Sequence, residues 1–280
     1  MLPFLGEKHP SSDQSVGVLP FLGEIGRIKK IASVLFFSVI CYNQAMPKIF
    51  VITPTYNESQ NLPTLVERIF ALKISGLELI VVDDNSPDGT GIVADELAKK
   101  YTIRVLRRAK KQGLGTAYAA AFKEVLRIAP EDARIVQMDA DLSHDPTVIT
   151  ALLEVSKEYD LVLGSRYIQG GRIEEWGLLR RLISRFGNVY ARFVLFLPYH
   201  DLTGGFKCFK LKVLQSMDID SLSSVGYNFQ IETTYLTHKN GYRICEIPIV
   251  FTERKTGSSK FNLSIILESF LRVILLRFHR

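Results

Sequence analysis

Cysteine is scarce in this chain: Cys41, Cys208 and Cys245 are odd in number and far apart. That excludes a disulfide framework and a C-x-x-C redox or metal motif, and it fits a reducing compartment. Long apolar runs are missing too. No stretch reaches the roughly 18–20 residues that a membrane-spanning helix needs, the nearest being "IASVLFFSVICY" at 31–42. Dense Lys/Arg tracts and zinc-finger spacings are absent, which disfavours a nucleic-acid partner. A disordered composition is absent as well, with 47% hydrophobic and 23% charged residues. What remains is a globular chain with a net charge of +6. Such an excess suits an anionic partner, either a phosphorylated small molecule or an anionic membrane.

At 280 residues the chain can bury one large core or two small ones. Residues 1–45 read as an extension outside it, with Met46 as an alternative start. They repeat "LPFLGE" at 2–7 and 19–24, too short a unit for a solenoid. They also hold the apolar 31–42 stretch behind Arg27, Lys29 and Lys30, an arrangement like a signal-peptide core or short anchor with a poor cleavage pattern. We expect residues 1–45 to be disordered, 46–262 to form the main domain, and 263–280 to form a terminal apolar or amphipathic helix.

From residue 46 the pattern becomes regular. "KIFVIT", "LELIVVDD", "IRVLRR" and "ARIVQMD" read as strands, and "NLPTLVERIFAL", "GIVADELAKKY" and "LGTAYAAAFKEVLRI" as the helices between them. Asn61 is the expected N-cap of the first helix, with Pro63 in its first turn. This alternation predicts an α/β chain with a mainly parallel sheet flanked by helices, whose ligands bind beyond the carboxyl ends of the strands. The polar motifs "PTYNE", "DDNSPDG" and "DADLSH" each end an apolar strand there. Further on, "DLVLGSRY" reads as a strand and "LLRRLISRFGNVYARFVLFL" as a helix. On that helix, spacing puts Arg181, Arg185, Asn188 and Arg192 on one face, with Ile183, Phe186, Tyr190 and Phe193 away from it. That face is either simply solvated or lies beside a phosphate or membrane surface. The last helix, "LSIILESFLRVILLRFHR", is so apolar that the domain, another chain or lipid must cover it.

The most chemically pointed stretch is "RIVQMDADLSHDP", which places Asp139 and Asp141 two residues apart. If the strand period of two continues, both carboxylates face one way. Like charges about 6–7 Å apart repel by roughly 2–3 kcal/mol at an effective dielectric of about 20, so a cation is expected between them. Mg²⁺ or Mn²⁺ suits, because hard cations take carboxylate and substrate phosphate oxygens and can hold a leaving diphosphate. The structural alternative is a pair of loop-capping aspartates.

Other motifs are read against similar alternatives. Asp88 and Thr90 are expected to start the helix after "VVDD", leaving Asp83 or Asp84 to accept from a ribose or base. The glycines of "QGLGTA" serve backbone shape or cradle a phosphate at a helix N-terminus. Arg166, Arg172, Arg180, Arg181, Arg254 and Lys260 form a cationic set suited to phosphate. His144 reads as a loop histidine or a metal ligand, and Cys208 and Cys245 as small core residues.

In order along the chain stand "PTYNE", "VDDNSPDGT", "QGLGTA", "DADLSH", "GSRY", "DLTGGFK", "GYNFQIE" and "ERKTGSSK". This set, over residues 48–262, resembles the dolichol-phosphate (polyprenol-phosphate) mannosyltransferases, inverting glycosyltransferases of the GT-A nucleotide-diphospho-sugar transferase fold. The resemblance implies transfer of mannose from GDP-mannose to a dolichyl or polyprenyl phosphate. It implies that Pro54, Tyr56, Glu58, Val81 and Asp83 hold the guanine nucleotide, and Asp139, Ala140 and Asp141 the metal (Mg²⁺ or Mn²⁺) and diphosphate. Arg166, Arg254 and Lys260 would grip donor and acceptor phosphates, with Asp141 and Arg166 at the reaction centre.

It also implies a peripheral place on the cytoplasmic side of a membrane and, as in some members that lack an anchor, a small membrane-anchoring partner subunit. Ser143 stands where some members carry a Gln that looks like a metal ligand. The chemistry agrees with the resemblance, because a phosphate monoester with a second pKa of about 6 is already ionised and needs no general base. The alternatives are a relative using UDP-glucose or another nucleotide sugar, an aspartyl-phosphate phosphatase, and a non-catalytic lipid-binding subunit.

Overall fold

The computed structural model describes residues 47–222, 227–253 and 263–279. The expectations for residues 1–45, Arg254 and Lys260 lie outside the described residues. The first half alternates strictly: β1 (Ile49–Thr55), α1 (Leu62–Ala71), β2 (Leu77–Asp83), α2 (Thr90–Ala98), β3 (Ile103–Arg107), α3 (Leu114–Ile128), β4 (Arg134–Gln137), α4 (Val148–Val155) and β5 (Leu161–Ser165). The second half is less regular: β6 (Arg172–Ile173), α5 (Leu178–Leu195), β7 (Lys207–Lys210), α6 (Leu211–Gln215), α7 (Tyr227–Lys239), β8 (Ile244–Pro248), β9 (Val250–Phe251) and α8 (Leu263–His279).

Seven strands form one sheet in the order β3-β2-β1-β4-β7-β5-β8. Strand β7 runs antiparallel to β4 and β5; the remaining pairs are parallel, as the alternation predicted. Parallel strands covered on both faces carry continuous apolar runs, and β2 is buried at every position. One face packs Phe50, Ile52 and Ile80 against Tyr118 and Phe122 of α3 and Phe229 of α7. The other packs Val51, Leu79 and Val136 against Leu65 of α1 and Ile149 of α4. Cys208 lies wholly inside this second cluster, where burial pushes its thiol up to about 12. Cys245 is half-buried.

The topology brings the carboxyl ends of β1, β2, β4 and β5 to one edge, together with the amino end of antiparallel β7. Three local expectations are corrected there and nearby. Helix α1 begins at Leu62 with Pro63 in its first turn, but Asn61 does not cap it; its Nδ2 donates instead to Glu58 Oε2 at 2.7 Å. Strand β4 stops at Gln137, so Asp139 and Asp141 sit on a loop, where a period of two does not apply. Helix α5 is turned differently from its sequence reading. Asn188, Ala191 and Leu195 face inward, whereas Leu178, Leu182, Phe186, Val189 and Phe193 stand exposed. Asn188 turns inward because its Oδ1 accepts from the amides of Leu202 and Thr203, at 2.7 and 3.2 Å. Helix α8 buries Val273 against α5 and α7 but leaves Leu271, Leu275 and Phe278 exposed.

Candidate active site

One wall of the strand-end edge is made by the loops after β1 and β2, stitched to each other. The amides of Asn57, Glu58 and Ser59 donate to Ser86 Oγ, Thr90 Oγ1 and Asp88 Oδ2, at 3.1, 2.9 and 3.1 Å. Both loops turn through an asparagine with positive φ, Asn57 at 63° and Asn85 at 58°, a conformation that asparagine tolerates well. Asp88 also accepts from the amide and hydroxyl of Thr90. Burial opposes ionisation of this carboxylate, but the bonds from Thr90 and Ser59 win and hold its pKa at about 2.

Pro54, Tyr56 and Glu58 are half-buried on this wall, and Lys111 Nζ lies 3.3 Å from the centroid of the Tyr56 ring. Val81 is placed differently. Its side chain is fully buried in the core, and it pairs with Thr53 and Val105 below the edge, so it offers a ligand no exposed surface.

The paired aspartates at the end of β2 both accept hydrogen bonds from the chain itself, Asp84 through both carboxylate oxygens. Asp84 takes Arg108 Nη1 at 2.6 Å and the amides of Gln112 and Gly113 at 3.0 Å each. The turn read as a phosphate cradle thus grips a carboxylate of its own chain. Gly113, at φ 98°, is there for backbone shape. Asp83 accepts from Ser86 Oγ at 2.5 Å and its amide at 3.3 Å, with Thr55 Oγ1 at 3.5 Å. A carboxylate has about four acceptor positions, so Asp83 keeps capacity for one more donor.

The loop after β4 carries the D-x-D pair. Asp141 Oδ1 accepts from the amide of Ser143 at 3.1 Å and from its hydroxyl at 2.6 Å, so Ser143 orients this carboxylate. Leu142 between them has a φ of 64°, the tight turn that folds Ser143 back. Ala140 turns its methyl into the core. His144 is 1% exposed, stacked on Phe206 at 4.9 Å with Phe251 edge-on at 5.3 Å. Its Nδ1 accepts from the amide of Asp139 at 3.3 Å, so that nitrogen carries no proton. Burial lowers the His144 pKa to about 4, with Asp141 pulling the other way. The 3.9 Å approach of Nδ1 to Asp139 Oδ2 is therefore not an ion pair. His144 is a loop histidine that positions the D-x-D pair.

Two further elements close on Asp139. The hydroxyl of Tyr118 lies against it from below; burial first, then Asp139 and Asp141, push that phenol's pKa well up. From the β7 side comes "DLTGGFK". A Cβ on Gly205 would sit 3.3 Å from Asp139 Oδ1 and 3.6 Å from Gln230 Nε2, so a larger residue there would press on the Asp139 carboxylate. This loop is anchored by Arg166. The guanidinium makes a bidentate pair with Asp201, Nε to Oδ2 and Nη2 to Oδ1 both at 2.7 Å, and Nη2 reaches Thr203 Oγ1 at 2.9 Å. The Arg166 amide also donates to Asp201 at 2.9 Å. Sequence reading placed Arg166 on a substrate phosphate; in the fold its side chain is buried and committed to Asp201. Asp201, Gly205 and Gln230 stand inside the motifs "DLTGGFK" and "GYNFQIE" but take no role from sequence alone, and Tyr118 lies outside every motif.

The donor set fits a hard divalent cation. Two carboxylates, one half-exposed on the Gly205 side, offer oxygens, and the nearby imidazole is spent on the backbone. Among the described residues no cluster of three or more His, Cys, Asp or Glu converges. A cation held by Asp139 and Asp141 would complete its shell with phosphate and water oxygens, as Mg²⁺ commonly does.

Comparison with known proteins agrees with this geometry. Residues 50–217 match the family described as glycosyl transferase family 2. The polyprenol monophosphomannose synthase of Mycolicibacterium smegmatis is 42% identical over 229 residues, covering 81% of this chain and 85% of the relative. The undecaprenyl-phosphate mannosyltransferase of Micrococcus luteus is 40% identical, covering 81% and 92%. Among solved structures, the glucosyl-3-phosphoglycerate synthase of Mycobacterium tuberculosis with Mn²⁺, UDP and glucosyl-3-phosphoglycerate has a TM-score of 0.60 at 19% identity, covering 82% of this chain and 78% of that one. That likeness shows the GT-A type of fold. The chain belongs to glycosyl transferase family 2.

Proposed function

We propose that the chain transfers mannose from GDP-mannose to a dolichyl or polyprenyl phosphate with inversion, giving the lipid-phosphate mannose and GDP. The observation that carries this reading is the D-x-D loop at the common strand edge, held in place by Ser143 and His144. The names of relatives about two-fifths identical support the sugar and the lipid acceptor. Pro54, Tyr56, Glu58 and Asp83 line one wall and would take the guanine nucleotide. Asp139, Ala140 and Asp141 would take the metal and diphosphate, with Arg254 and Lys260 on the phosphates.

A bound Mg²⁺ or Mn²⁺ would neutralise the departing diphosphate. The acceptor is already an anion at neutral pH, so no side chain need take a proton from it. One of its oxygens forms the new bond to the anomeric carbon as the bond to the nucleotide diphosphate breaks on the opposite side. Arg166 acts here by holding the Asp201–Gly205 loop against Asp139.

No described helix is long and apolar enough to cross a membrane. The exposed apolar stripe of α5, with Arg181 and Arg185 exposed on the same helix, supports a peripheral seat on an anionic bilayer, and the family resemblance puts that seat on the cytoplasmic side. A small membrane subunit could add to that anchorage. Residues 1–45 lie outside the catalytic unit in this reading.

The test is transfer of labelled mannose from GDP-mannose to a polyprenyl phosphate, with Mg²⁺ or Mn²⁺, with EDTA, and with Asp139→Ala. Metal-dependent label in the lipid, reduced about a thousandfold in the variant, is expected. Label arriving only from a UDP-sugar would move the donor, and full turnover by the variant would overturn the role of the pair.

A further inference from the structure

The amino-terminal turn of α7 holds buried amides that nothing among the described residues satisfies. Gln230 is 1% exposed and Asn228 5%, yet among the described residues both amide atoms of Gln230 and Oδ1 of Asn228 have no hydrogen-bond partner. Gln137, the last residue of β4, is fully buried with both amide atoms equally unpartnered. It pairs in register with Lys207, so its side chain lies on the same side of the sheet as that lysine. Lys207 Nζ in turn donates to the Gln230 carbonyl at 2.6 Å and to Thr234 Oγ1 at 2.9 Å. The backbone of this turn is therefore pinned while its side-chain amide is left wanting. An unsatisfied buried polar group costs on the order of 1–3 kcal/mol, and five such atoms gathered in one place require an explanation.

Their position supplies one. Gln230 Nε2 and Asp139 Oδ1 both lie within 3.6 Å of the point where Gly205 lacks a Cβ. The amide and the Asp139 carboxylate thus flank the same shelf of bare backbone at Gly205. In a nucleotide sugar the hexose is joined directly to the terminal phosphate of the diphosphate. With that diphosphate at Asp139 and Asp141, the ring lies next to the shelf.

We propose that Gln230, with Asn228 beside it, is the residue that reads the hydroxyls of the transferred hexose. A carboxamide offers a donor and an acceptor together, the pair needed by two neighbouring hydroxyls. Polar atoms that stay unpaired until the sugar arrives reject a sugar lacking the matching hydroxyl, because the penalty then persists. This inference rests on the donor reading above and extends it to a specificity residue. Gln230 takes no part in holding the nucleotide or the metal.

The test is a Gln230→Met variant of the full chain, close in volume and without the unsatisfied amide. Its binding of GDP alone and of GDP-mannose is measured by calorimetry with Mg²⁺, alongside its thermal midpoint. The expected result is a split: GDP binding unchanged, GDP-mannose affinity and transfer KM worse by about tenfold to a hundredfold, and a midpoint unchanged or higher. Gln230→Glu, which keeps acceptors and loses the donor, is expected to recover part of the affinity. Equal loss of GDP and GDP-mannose binding, or no loss of either, would overturn the sugar role and leave the donor reading intact. Wild-type protein that binds no guanosine nucleotide would overturn both.

Discussion

At the strand ends Asp84, Asp201 and Lys207 are almost wholly buried, while along α5 Phe186 and Phe193 stand 61% and 78% exposed. The two regions depart from the usual distribution of polar and apolar groups in opposite directions. The buried charges are answered inside the chain: three donors on Asp84, Arg166 and its amide on Asp201, three acceptors around Lys207. Along α5, Phe186 meets the edge of the Phe270 ring and Phe193 the ring of Phe196, but most of the apolar stripe stays open among the described residues. A network satisfied from within makes a rigid frame, whereas an unsatisfied surface marks where something else must come. By the same test Gln230 belongs with α5, as a group whose side-chain amide has no partner among the described residues.

The comparison breaks most severely at Arg166. Arg166→Met leaves Asp201 ionised and buried without its guanidinium partner, with the amide of residue 166 still donating to it, which costs about 3–5 kcal/mol. In a chain of this size the thermal midpoint is expected to fall by on the order of 10 °C. If the midpoint holds and only activity falls, Arg166 acts on substrate rather than on the loop.

A smaller effect is expected at the opposite end of the sheet, where Asp160 offers a satisfied carboxylate away from the site. It accepts from Lys210 at 3.2 Å and the Arg243 amide at 3.1 Å, and pairs with Lys212 at 2.8 Å. Burial would raise its pKa, but these donors outweigh it and lower it from 3.8 to about 2. A depressed folded value means that the unfolded chain binds the proton more readily. The stabilisation is therefore complete above pH 4 and lost as the pH falls through 2. Its size is about 2 kcal/mol. Acid titration of unfolding should show that loss in the wild type and not in Asp160→Asn.

The mildest change is expected on α5. Phe186→Ser with Phe193→Ser removes exposed apolar area, so stability should stay within about 0.5 kcal/mol of wild type. Flotation with anionic vesicles should fall by roughly tenfold or more, since burying each phenyl ring is worth about 1.5–3 kcal/mol. Unchanged flotation would remove α5 as the lipid-facing element. Loss of folding would show that the stripe packs within the chain.

Much of the frame is readable from local pattern. "KIFVIT" and "LELIVVDD" are apolar throughout because strands covered on both faces must be, and the motifs that end them fall on the binding edge by topology alone. Strand β7 was harder to place, because "KCFK" carries two lysines and Lys207 is buried only through acceptors that α7 provides. The facing of α5 was misread for a related reason. Periodicity locates a polar stripe but not the loop that will use it, and Asn188 turns inward only because Leu202 and Thr203 are there to donate.

The sequence by itself determined the α/β alternation, the D-x-D position and the ordered motifs of the family, since these depend on residue type and short-range spacing. Tertiary structure decided how those motifs are used. It took Asp84 and Arg166 for the frame, set His144 to position the metal loop, and opened the Gly205 shelf between Asp139 and Gln230. Each of these outcomes except the short turn between Asp139 and His144 joins residues tens of positions apart. A hydrogen bond or a bare patch of backbone between such residues exists only once the sheet has brought its strand ends together.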